Sequence, residues 1–540
     1  MKLRYPLIIL LLLAIVTSCH RSDAAQGKMI FRYNEVSGIA TLDPAFSKDQ
    51  ALNWATSQLF NGLVRLDEQL EVQPAIAHSW EVSNDGTLYT FHLRNDVTFH
   101  RSPLFQTPDS TRKVVASDFV YSLNRILDPD VASPGRWIFN EVDSNGFSAP
   151  NDSTFTIRLR QPFAPFLSLL SMPYCSVVPR EVVEYYGTDF RRHPIGTGPF
   201  QMQLWKEGVK LVLRRNPHYF ESDSLGHRLP YLDAVAITFI VDKQTVFLEF
   251  IKGNIDFMNS LDASYKDEIL TRTGQLKPKY QGRIVMESQP FLNTEYLGFL
   301  MDGPESPLLD RRIRQAINYG FDRRKMMKYL RNGIGTPGTY GFIPLGLPGA
   351  DTSAHYGFEY DPVKAQQLLA EAGYPDGKGL PPIKLATTSS YLDLCRYIQQ
   401  QLALIHINIK IDVNPPAALR EQMAQGKSGW FRGSWIADYP DAENYLSLFY
   451  TPNHAPNGPN YTHFSNKHFD RLYQRAKGET DPTIRTNLYR QMDSIVMQEA
   501  PVVVLYYDQI LHFTHPEVTG VRSNAMNALD LRYVKVKPRE

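Results

Sequence analysis

Trp430-Phe431-Arg432-Gly433-Ser434-Trp435-Ile436-Ala437-Asp438-Tyr439-Pro440-Asp441 gathers aromatic residues, one arginine and one carboxylate before it breaks at a proline. In an extended chain, side chains alternate between two faces. Arg432, Ser434, Ile436 and Asp438 would then share one face, and Gly433, Trp435 and Ala437 the other. Apolar walls with a few placed charges are what a ligand-lining strand needs. A buried strand whose Asp438 caps the turn at Pro440 accounts for the same letters, because Asp before a turn is ordinary. The stretch alone leaves both readings open.

Around it the chain reads as mixed α and β. Alternation at Leu88 to Leu93, with Tyr89, Phe91 and Leu93 on one face, predicts a half-buried strand. Thr154 to Arg160 repeats the pattern with Phe155, Ile157 and Leu159. Helix signals are interleaved with these. Ser117 is predicted to cap a helix that turns Phe119, Leu123 and Leu127 inward, and Asp361-Pro362 opens another, carrying Ala365, Leu368, Leu369 and Ala372 and stopping at Gly373. A third runs from about Thr483 to Gln498 with Leu488, Met492 and Ile495 inside. Such interleaving suits sheets covered by helices.

Composition excludes several classes. The 540 residues carry 57 Lys and Arg against 56 Asp and Glu, so no basic excess points to nucleic acid. With 21% charged and 43% hydrophobic residues, neither disorder nor a multi-pass membrane protein is expected. Three cysteines, Cys19, Cys175 and Cys395, give no disulfide framework and no cysteine zinc site.

Catalytic motifs are lacking: no phosphate-cradling GxxxxGK[ST] loop, no GxSxG elbow and no HExxH helix occurs. Gly196-Thr197-Gly198-Pro199 ends in proline and reads as a turn between strands. His512 with His515, and His454 with His463 and His468, lack the spacing of a helix face with an added carboxylate, so no metal site is predicted. No cofactor is expected, and the chain reads as a non-enzyme.

Lys2 and Arg4 precede an apolar run of ten residues, Leu7 to Val16, half of the roughly 20 that a membrane span requires. Residues 1–18 therefore read as an export signal. Val16-Thr17-Ser18-Cys19 resembles a bacterial lipobox, which predicts acylation of Cys19 as the new N-terminus, with 19–27 as a tether. Removing residues 1–18 leaves 55 basic against 56 acidic residues, so acyl chains rather than headgroup attraction would hold the protein at a membrane.

Thr41-Leu42-Asp43-Pro44, Leu59-Phe60-Asn61-Gly62-Leu63-Val64 and Pro74-Ala75-Ile76-Ala77-His78-Ser79-Trp80-Glu81 begin an ordered series of motifs. It continues through Ser117-Asp118-Phe119-Val120-Tyr121-Ser122, Pro194 to Phe200, Arg215-Asn216-Pro217-His218-Tyr219 and Gly253-Asn254-Ile255-Asp256. Arg311-Arg312-Ile313-Arg314-Gln315-Ala316-Ile317, Leu368 to Tyr374 and the tryptophan and aspartate strand close it. In this order the series resembles the solute-binding proteins of ABC importers in the peptide and nickel class, over about residues 30 to 536. The resemblance implies an α/β, two-lobed clam-shell periplasmic-binding-protein fold with an extra inserted domain beside lobe I. Lobe I would take 28–62, 196–292 and 506–540, the extra domain 63–195, and lobe II 293–505.

By the same resemblance, Asp438 would pair with the free α-ammonium of a short peptide and Arg432 with its carboxylate. Ser434 and Ile436 would offer backbone to the peptide as an added strand, beside Trp435 and Tyr439. Some relatives tie this strand to the start of lobe II by a disulfide; the corresponding residues here are Ile436 and Asn293, and Cys175 and Cys395 are predicted to be free thiols. The expected protein is a monomer in the periplasm or cell envelope, anchored through Cys19, with ABC permease and ATPase subunits as partners. Other solutes, such as a nickel complex or an oligosaccharide, are the alternative within the family. A secreted hydrolase or chaperone-like peptide binder is the alternative outside it.

Overall fold

The computed structural model describes residues 27–260, 265–303, 306–353 and 356–538. The export signal, Cys19 and residues 20–26 of the tether lie outside the described residues. Among the described residues no helix is long and apolar enough to cross a membrane.

One mixed sheet of eleven strands organises most of the chain. Its order is Ile409–Val413, Ile383–Thr387, Trp430–Ile436, Val285–Phe299, Val502–Thr514, Phe257–Asn259, Ile30–Asn34, Ala234–Thr238, Lys210–Arg215 and Phe200–Lys206, with Thr336–Pro337 paired to the side. The two long central strands run through both halves. Val285 to Pro290 pairs with Gln509 to Thr514, and Thr294 to Gly298 with Val502 to Tyr507. Between them the register shifts at Pro290, which has no N–H for the ladder. There Leu292 turns away, donating its N–H to Ala525 at 2.7 Å and accepting from Ala437 at 3.0 Å.

A second sheet of four strands lies wholly within 77–159, in the order Ala77–Val82, Leu88–Leu93, Thr154–Leu159, Val142–Asn151. The two predicted strands form here, and Tyr89, Phe91, Phe155 and Ile157 are buried as their alternation requires. Its core is continuous with that of the first strands of the large sheet, from Phe31 to Phe257. Two further clusters flank the sheet at 292–507, one around Phe342, Phe449 and Met492, the other around Phe299, Ile398 and Trp430. Burying such side chains contributes about 1.5–3 kcal/mol each, which fixes these faces.

Helices follow the sequence with two corrections. Pro362–Glu371 is capped by Asp361, whose carboxylate accepts from the Lys364 N–H at 2.9 Å, and Gly373 takes φ +93° just beyond its end. Pro482–Glu499 starts on Asp481 and buries Leu488 and Met492. The helix at Ala116–Leu127, however, is not capped by Ser117, which lies inside it; Asp118 reaches back to the Val115 N–H at 2.9 Å. Ile126 is fully buried there and Leu127 only partly. Gly196-Thr197-Gly198-Pro199 is not a turn between strands. It is irregular chain leading into Phe200–Lys206, and a Cβ on Gly196 would lie 2.1 Å from the Leu59 carbonyl oxygen, so close backbone approach demands glycine.

Candidate ligand-binding site

Trp430–Ile436 is a strand with one complete ladder and one open edge. On the first side it pairs antiparallel with Asn293–Phe299 throughout, Glu295 lying opposite Ser434 and Asn293 opposite Ile436. On the other side only Phe431 is paired, with Ala386 of the parallel strand Ile383–Thr387. Among the described residues, Arg432 to Ile436 thus have no strand on that second side. Alternation holds: Gly433 and Ala437 are buried, Ser434 is half-buried, and Ile436 is 49% exposed.

Asp438 follows on the exposed face. Its carboxylate bonds beyond the turn at Pro440, while Asp441, past the proline, accepts from the Glu443 N–H at 2.9 Å. Asp438 instead has one amide, Asn444, whose Nδ2 donates to its carboxylate at 3.2 Å and whose Oδ1 accepts its N–H at 3.1 Å. Trp435 Nε1 donates to the same Oδ1 at 2.9 Å, locking the Asn444 amide in that orientation. The surrounding protein withdraws water from one side of Asp438 and pushes its carboxyl above the usual range, the Asn444 amide opposing this weakly. Because the side chain still reaches solvent, the shift carries no sizeable cost in stability.

Groups from the first half of the chain meet this end of the strand. Tyr174 is held far above the normal phenol range, chiefly by burial and secondly by the charges of Asp438 and Asp49. Trp137 lies 6.1 Å from the Tyr439 ring. Tyr439 is buried and its hydroxyl is bonded to Glu443, so it contributes a ring and no free polar group.

Arg432 is already occupied. It forms an ion pair with Glu295, their side chains 12% and 4% exposed, and the guanidinium carbon lies 3.3 Å from the centre of the Tyr391 ring. Glu295 is raised by burial, against the pull of Arg432, and its other oxygen accepts from Asn293 Nδ2 at 3.2 Å. Alongside, Arg331 pairs with Asp508 and donates to the Tyr506 hydroxyl at 3.0 Å. Glu295, Asn444 and the Arg331–Asp508 pair could not be read from the sequence; each comes to the strand through register or a turn.

Other concave and polar clusters lie elsewhere. A cavity of about 1520 Å³ is lined by Asp43, Arg112, Asp118 and Arg125, which are paired with one another at 2.6–2.8 Å. His454, His463 and Asp302 offer ligand atoms within 4.8 Å of one another and so could hold a metal ion, against the expectation from spacing, since Asp302 comes from a distant segment. His512 bonds Asn527 and His515 the Phe250 carbonyl, both structural. Cys175 and Cys395 are buried free thiols.

The edge left open from Arg432 to Ile436, followed by a carboxylate held by one amide, leaves room for an extended ligand chain. Residues 71–457 match the family model of bacterial extracellular solute-binding proteins, family 5 (middle), and the chain belongs to that family, the solute-binding proteins of ABC importers in the peptide and nickel class. Among curated relatives it is 28% identical over 490 residues to the glutathione-binding protein GsiB of Salmonella choleraesuis, covering 90% of each chain. Among solved structures it is similar to the periplasmic binding protein DppA of Helicobacter pylori in complex with the peptide STSA, with TM-score 0.76, 25% identity and 95% and 98% coverage. HbpA2 of Haemophilus parasuis shares the fold at TM-score 0.80, with 24% identity and 94% and 100% coverage.

Proposed function

We propose that this protein captures short peptides in extended form and delivers them to a membrane permease, held at the membrane through a lipidated Cys19. The observation that carries the reading is Asp438, an accessible carboxylate beyond a strand edge left open from Arg432 to Ile436. A peptide added along that edge would hydrogen-bond through its main chain, which tolerates many side chains. Its α-ammonium would meet Asp438 in a charge-assisted hydrogen bond, of order 1.5–3 kcal/mol. Relatives named for glutathione and the DppA complex with STSA support a peptide-like solute with a free amine.

In this reading 28–62, 196–292 and 506–540 form one lobe, 293–505 the other, and 63–195 an inserted domain. The crossings near Pro290 to Thr294 and Tyr507 to Gln509 act as the hinge, and a ligand that prefers the closed state shifts the population toward it. Native mass spectrometry of the protein as purified tests the solute: retained masses that fragment as peptides support the reading, and a retained sugar or metal chelate overturns it. For the anchor, Cys19→Ala should move the protein from the membrane to the soluble fraction; persistence at the membrane contradicts lipidation.

A further inference from the structure

We infer that the site does not require a free carboxylate on its ligand, because Glu295 already occupies Arg432. The inference rests on the peptide reading above and narrows its substrate class to amines with a neutral or extended far end, including peptide amides.

Four charged groups stand together behind the open edge, and they cancel. Arg432 pairs with Glu295, and Arg331 with Asp508. Arg432 is further committed by the Tyr391 ring against its guanidinium, and Arg331 by the Tyr506 hydroxyl and, through Nε, the Ile334 carbonyl at 3.2 Å. A ligand carboxylate arriving at Arg432 would have to displace Glu295, which is 4% exposed in its side chain and would be left as a buried, unpaired anion. Breaking a buried pair in this way is strongly unfavourable. Asp438 differs: its contacts are to the Asn444 amide, so an arriving ammonium finds an unmatched charge.

Arg432 Nε and Asn293 Oδ1 are also buried without partners beside Glu295, one a donor and the other an acceptor, so neither is open to an arriving ligand.

The test uses random-sequence di- to pentapeptides in three preparations, free acids, C-terminal amides and N-acetylated acids, in calorimetric titrations of the full chain. For the unaltered protein, acids and amides should bind within about threefold, and N-acetylated acids at least about tenfold more weakly, tenfold being 1.4 kcal/mol. In Glu295→Gln, Arg432 is released and acids should gain at least about tenfold over amides. Should that variant fail to fold, Glu295→Asp, which draws the carboxylate back by one methylene and loosens its hold on Arg432, should favour acids over amides by a smaller factor; acids and amides still alike in a folded Glu295 variant would overturn the role of Glu295. Acids binding the unaltered protein about tenfold or more tightly than amides would overturn the inference while leaving the peptide reading intact. Failure of all three preparations to bind would overturn the peptide reading and the inference with it.

Discussion

Asn444 holds Asp438 from both sides, donating to its carboxylate at 3.2 Å and accepting its N–H at 3.1 Å, while Trp435 fixes the orientation of that amide. The candidate ammonium receptor is thus positioned by a residue six places downstream, across the Pro440 turn. Asn444 is buried, so Asn444→Ala should cost some stability, leaving Trp435 Nε1 and the Asp438 N–H without their acceptor. It should lower affinity for free-amine peptides by about 5- to 30-fold, the effect of roughly 1–2 kcal/mol of lost positioning. Calorimetry on this variant checks the claim, and unchanged affinity contradicts it.

Affinity should fall in acid. Burial raises the Asp438 carboxyl above its ordinary range, and only the ionised form attracts an ammonium. As pH drops through that raised pKa, the carboxylate gains a proton and loses the attraction. Titrations at successive pH values should therefore show affinity for free-amine peptides declining at a higher pH than an ordinary aspartate would dictate. In Asp438→Asn the decline should vanish.

A second buried acid governs stability instead. Asp493 is wholly buried on Pro482–Glu499, and its carboxyl is pushed up to about 7 by burial, against the Phe342 and Ile343 N–H groups. Phe342 N–H donates to it at 2.7 Å, and a Cβ on Gly341 would lie 1.7 Å from its Oδ2. The folded protein keeps this proton after the unfolded chain, with its pKa near 3.8, has lost it. Stability contributed by this group is therefore fully present below that value and falls as pH rises to about 7, by about 1.4 kcal/mol per unit. Asp493→Asn should flatten this part of the profile in urea denaturation; a slope identical to that of the unaltered protein contradicts it.

How much of this was legible in the sequence depends on distance along the chain. The alternation at Trp430–Ile436 assigned Arg432, Ser434, Ile436 and Asp438 to one face, as found, because a strand's period is local. Glu295 was invisible because it meets Arg432 only through the register of two strands 137 residues apart. Asn444 lies beyond a turn whose path no periodicity describes. The misplaced helix cap at Ser117 has a similar cause: Asp118 reaches back to Val115, and nothing in the hydrophobic pattern distinguishes that from a serine cap. Asp302 joins His454 and His463 from another segment, which a spacing rule within one segment misses.

The closure proposed above would gain from one contact between the proposed inserted domain and the second lobe. Lys477 pairs with Glu141 at 2.5 Å, lies 5.3 Å from the centre of the Phe163 ring, and its carbonyl accepts from Ala164 N–H at 3.1 Å. Lys477→Met keeps the stem over the ring and removes the charge. With a partly buried pair contributing on the order of 1 kcal/mol, the closed-to-open ratio should fall about fivefold. Small-angle scattering should then show a larger radius of gyration in the variant without peptide. A double-mutant cycle with Glu141→Gln should show non-additive losses, and strict additivity contradicts a role for the Lys477–Glu141 pair in closure.

The pairing of Asp438 with a peptide ammonium is tested most directly by calorimetric titration of Asp438→Asn beside the unaltered protein, using matched free and N-acetylated peptides. The expected result is a loss of about 10- to 100-fold for free peptides, equivalent to roughly 1.4–2.8 kcal/mol, with N-acetylated ones nearly unaffected. An equal loss for both, or none for either, would contradict it.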